Sequence, residues 1–104
     1  MATSYLNAYR TPLETATSAE IAVELCDAAL LRLRPGAAPH QLEEAQQAVC
    51  ALVTMVNPDA GEVATNLLRL YEYCLHRMET PDDDLQSVRA TLGTLRSAFA
   101  GLTD

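Results

Sequence analysis

DAGEVATNLLRLYEYCLHRM, residues 59–78, is the stretch whose reading decides the fold. Val63, Leu67, Leu70, Tyr71, Cys74 and Met78 recur in it at steps of three and four, the spacing of one helix face. Asp59 followed by Glu62 has the spacing of a capping box, and Pro58 stands just before that start. The spacing therefore predicts a helix over residues 60–79. Tyr73 projects away from the centre of the stripe, so it is either a rim residue or a contact for a second molecule. Leu68 and Leu75 form a further row on the other flank.

Working outward, Asn57-Pro58-Asp59 reads as a compact turn. Before it, Leu42, Ala45, Val49, Leu52, Val53 and Val56 predict a helix over residues 40–56. Arg34-Pro35-Gly36 reads as a stop. Upstream of that stop, Thr17 with Glu20 forms a second capping-box pattern, opening a helix over residues 18–34. Its apolar set is wide: Ile21, Ala22, Leu25, Cys26, Ala29 and Leu33, extended by Val23 and Leu30. At 100° per residue that arc approaches roughly 220°. A helix packed on one side needs only about 100°. This helix is thus either central in the molecule or carries a second face.

Residues 1–16 hold Tyr5, Leu6, Tyr9 and Leu13 in a segment too short to be a stable helix alone. They read as an arm that docks on the body, the alternative being a frayed terminus. At the other end, Thr80 suits an N-cap, Pro81 a first helical position, and Asp82, Asp83 and Asp84 the positive helix start. Leu85, Val88, Leu92, Leu95, Phe99 and Leu102 then trace a narrow seam along a helix over residues 81–102. No alternating strand pattern competes. The expected fold is all-α: an antiparallel four-helix bundle at residues 17–104 behind a short N-terminal arm at 1–16.

The formal charge is −7, and all seven basic residues are arginines scattered along the chain. Nucleic acid and anionic membranes need a basic face, which is missing. No run of 18 apolar residues offers a membrane span, and the first ten residues do not look like a signal peptide. A soluble intracellular protein is the plain expectation. Cys26, Cys50 and Cys74 are odd in number and lack metal-ligand spacing, so they read as reduced thiols within helices. No ExxH pair, GxSxG, phosphate loop or lysine nucleophile occurs, so neither catalysis nor a cofactor nor a metal is expected. What remains is apolar surface, which points to a partner. The candidate contacts are Tyr5, Leu6 and Tyr9 of the arm, Val23, Cys26 and Leu30 of the first helix, and Tyr71, Tyr73 and Leu75 of the third.

YLNAYR at Tyr5–Arg10, TATSAEIAVELCDAAL at Thr15–Leu30 and GEVATNLLRLYEYCLHRM at Gly61–Met78 together resemble the flagellar secretion chaperone family FliS. The likeness runs in order along nearly the whole chain. It departs at the short connection around Pro35–Pro39 and at Cys26, where an aromatic is common in the family. The resemblance implies a cytoplasmic chaperone that binds the disordered C-terminal region of flagellin, prevents premature polymerisation and assists secretion. It also implies an N-terminal arm able to cover the apolar groove that the client occupies, and it leaves room for a flagellin regulator or an export component as a second partner. Without the resemblance, a generic helical-bundle adaptor or a homodimeric structural protein satisfies the same residues.

Overall fold

The computed structural model describes residues 12–79 and 85–103. Residues 12–16 form a helical turn. Four helices follow: α1 (Ala19–Arg32), α2 (Pro39–Met55), α3 (Glu62–Glu79) and α4 (Gln86–Leu102). A 3-10 turn, Pro58–Ala60, lies between α2 and α3. There is no strand among the described residues.

The helices lie where the apolar spacing puts them, but two of their starts are built differently from expectation. Thr17 does not cap α1. Ser18 occupies the cap position with extended backbone and makes no side-chain cap bond. The reason lies one residue back. The Thr17 N–H donates to the Leu13 carbonyl, and the Ala16 carbonyl accepts from the Asn57 N–H at 2.8 Å. Those bonds hold Thr17 inside the molecule, where its hydroxyl has no partner among the described residues.

Asp59 likewise does not cap α3. The Asn57 carboxamide accepts the Asp59 N–H first, at 3.1 Å, and winds the 3-10 turn. Gly61 then turns the chain at φ 90°, a region that side chains avoid, and α3 starts at Glu62. At the start of α2 the Gln41 side chain accepts from the Ala38 N–H at 2.9 Å. That is the half of a capping box that does not need a cap side chain. The expected start at Thr80-Pro81 and its aspartates lies outside the described residues. The described part of the last helix begins at Gln86, with Leu85 at its cap position.

Side-chain bonds fix how the helices run. Arg32, at the end of α1, reaches Glu44, near the start of α2, at 3.2 Å. Gln46, in the first half of α2, donates to the Met78 carbonyl at the end of α3. Arg96 of α4 meets Asp27 of α1 at 2.9 Å. α1 and α2, and α2 and α3, are therefore antiparallel, as short connections favour. α1 packs extensively on both α2 and α4, and the α3–α4 seam is the loosest of the four.

The core is one cluster with complementary sizes. α1 contributes the small residues Ala22, Cys26 and Ala29, and α3 and α4 bring Tyr71 and Phe99, both wholly buried. Each large ring gains roughly 1.5–3 kcal/mol from leaving water. For Tyr71 the small side chains of Cys26 and Cys74 lie close by and leave it room.

Candidate partner-binding surface

The expected contact residues fall into four groups. Tyr5, Leu6 and Tyr9 lie outside the described residues. Cys26 and Tyr71 are wholly buried and touch no surface in this conformation, so as direct contacts they are corrected to core. They sit with Cys74 at the centre of the bundle, where Cys26 lies near Cys74 and the Tyr71 phenol lies near both thiols. Burial, helped by Asp27 and Cys74, pushes the Cys26 thiol up to about 12. Burial alone raises Cys74 to about 11, and burial also raises the Tyr71 phenol. At neutral pH these groups stay protonated and are poor nucleophiles.

Val23 and Leu30 are half-buried against the core. Their neighbour Asp27 holds Arg96 of α4, so this flank of α1 faces α4. The wide apolar arc of α1 is therefore consumed largely within the molecule, because α1 has a close neighbour on each side. The opposite flank, bearing Arg32, faces α2 through Glu44.

α3 lies diagonally across from α1 and runs the same way. A half-turn of the bundle therefore carries Val23, Cys26 and Leu30 onto Leu68, Tyr71 and Leu75. By that correspondence Leu68 and Leu75 face α2, and both are half-buried against the core. The other flank of α3 faces α4, and there the structure leaves apolar side chains uncovered. Leu70 is 40 % exposed and Tyr73 is 43 % exposed, one helical turn apart. Leu70 thus departs from its expected place in the buried stripe, because its flank borders the loosest seam. Tyr73 lies off the stripe, as its spacing requires. Arg69 and Arg77 stand four residues either side of Tyr73 on this face. On the other wall α4 presents Thr91 and Leu95, both half-buried.

Two exposed residues were not singled out as contacts in the sequence. Ile21 and Leu31 of α1 are 47 % and 56 % exposed. The signal for Leu31 was its place beside Leu30 on a helix already too apolar for one face. No group of three potential metal-ligating side chains occurs among the described residues, and no described helix is long and apolar enough to cross a membrane.

The site thus presents an apolar rim on α3 beside a loose seam, with leader residues 12–16 bonded where α2 turns into α3. A family model described as "Flagellar protein FliS" matches residues 1–104. No curated protein and no solved structure matches the chain.

Proposed function

Because the chain belongs to the FliS family of flagellar proteins, we propose that it is a cytoplasmic export chaperone for flagellin, binding the disordered C-terminal segment of that client until secretion. The whole-chain family match carries this reading. The exposed Leu70–Tyr73 pair supports it by offering a place for the client. Segments that assemble through apolar stripes can be held apart by covering those stripes, and a helix laid along an apolar seam does this without nucleotide hydrolysis. The protein acts here by binding, not as an enzyme.

The client ground is proposed to be the α3–α4 seam, with Tyr73 and Leu70 as anchors. Tyr5, Leu6 and Tyr9 of the leader supply further contacts, Val23 and Leu30 support the α4 wall from the half-buried layer, and Leu75 holds α3 in place from its α2 side. Cys26 and Tyr71 then act from beneath, by filling the space under the seam.

Titration calorimetry with a flagellin C-terminal peptide tests this. Binding at micromolar concentration is expected. The double variant Leu70→Ala/Tyr73→Ala should weaken it at least tenfold, with the melting temperature almost unchanged because both side chains are exposed. No binding at micromolar concentration would count against the chaperone reading. Binding that the double variant leaves intact would remove only the assignment to this seam.

A self-associating bundle is the reading that Ile21 and Leu31 would favour, as the start of a second apolar face on α1. Light scattering separates the two. A dimer that persists on dilution and breaks on Leu31→Glu would establish that face.

A further inference from the structure

At the end of the bundle where α1 turns into α2 and α4 begins, the chain forms a cleft of about 640 Å³ that opens to solvent. Leu33, Leu42, Leu85 and Pro39 make it apolar, and Arg34 and Arg89 stand beside them. Among the described residues no carboxylate lines it, although the chain as a whole carries a net charge of −7. The arginines differ from Arg32 and Arg96. Arg32 and Arg96 are each held by a carboxylate. Arg34 and Arg89 have no hydrogen-bond or ion-pair partner among the described residues.

We propose that this cleft is a binding site for a single-tailed apolar carboxylate, a fatty acid of medium chain length. The volume falls in the range of small-molecule sites, about 300–1,000 Å³, which are mostly apolar with a few placed polar groups. The guanidinium fork matches a carboxylate, and two such forks favour one anionic head over a neutral or cationic one. The four apolar side chains take the tail out of water. The site lies apart from the Leu70–Tyr73 seam and does not depend on the client assignment.

The test uses the full chain and four probes in titration calorimetry: decanoate, octanoate, decyltrimethylammonium and a short acetylated peptide ending in leucine with a free carboxylate. Decanoate should bind one to one. Octanoate, two methylenes shorter, should bind about fifteenfold more weakly, since each buried methylene is worth roughly a factor of four. The cationic amphiphile should bind at least tenfold more weakly than decanoate. Arg34→Gln/Arg89→Gln should cut decanoate affinity at least tenfold, and both sites are exposed, so melting should not change. Amide signals of Leu33, Leu42 and Leu85 should shift on saturation. Equal binding of the cation, insensitivity to the double variant, or no saturable binding up to millimolar decanoate would each overturn the proposal. Tighter binding of the peptide than of decanoate would overturn it too, in favour of a protein C-terminus.

Discussion

Tyr71 brings its ring to the centre of the bundle, but its hydroxyl is buried with no hydrogen-bond partner among the described residues. An unpaired buried hydroxyl costs about 1–3 kcal/mol of lost hydration. Tyr71→Phe keeps the ring and removes the cost, so urea unfolding should show a gain of about 1 kcal/mol. A loss of that size would mean that the hydroxyl is bonded in solution. The thiols beside it supply a pH dependence. The folded state holds the Cys26 and Cys74 protons up to about 12 and about 11, against an ordinary value of 9.0. An unfolded chain releases them earlier, so unfolding is favoured once the pH passes the unfolded value. This contribution is fully present below about pH 9 and is lost as the pH rises through 11 to 12. The denaturant midpoint should stay level from pH 7 to 8.5 and fall above 9. In Cys26→Ala/Cys74→Ala the midpoint starts lower, because two buried side chains are trimmed, but its decline between pH 9 and 10 should be shallower. An unchanged slope would assign the alkaline loss to other groups.

At the scale of the helix, Gly93 sits inside α4 with open space where a Cβ would stand. Gly93→Ala should stabilise by about 0.5–1 kcal/mol, since glycine costs backbone entropy in a helix and no neighbour needs to move. Thermal melting checks this, and a lower melting point would show that the model of an open flank is wrong. Helix position was legible from sequence because burial imposes a step of three and four on every element, and Val63 to Met78 or Val88 to Phe99 obey it. The caps were not. Capping is a contest between nearby acceptors, and the spacing of Asp59 and Glu62 cannot reveal that the Asn57 side chain takes the Asp59 N–H first. Nor can the Thr17–Glu20 spacing show that long-range bonding of Ala16 to Asn57 draws Thr17 inward. The same limit governed the candidate surface. A helical wheel gives the angle of Val23, Leu30 and Leu70 but not which flank has a neighbour. Val23 and Leu30 meet α4, whereas Leu70 borders a seam too loose to cover it. Tyr73 was readable because it lies off the stripe however the neighbours are placed.

For the whole molecule, the uneven packing around the ring of helices decides where it opens. α1 packs extensively on α2 and α4, while α3 and α4 meet over the least ground. Opening free energies within a fold follow local burial and contact density. Backbone amides of the buried α1 segment around Cys26 and Ala29 should therefore exchange slowest, near the global unfolding rate. Amides on the facing flanks of α3 and α4, around Leu70, Tyr73 and Thr91, should exchange faster through partial separation of that seam. A client helix laid across the seam adds the contacts that α3 and α4 do not make with each other. Its binding should slow exchange at those amides and leave α1 almost unchanged. Hydrogen exchange with and without the flagellin peptide reads both effects in one experiment. Uniform protection in the unliganded protein would remove the loose seam as the source of opening. Client protection confined to α1 and α2 would move the binding ground to the side where Ile21 and Leu31 are exposed, since the same mass-action link that protects a binding face identifies it.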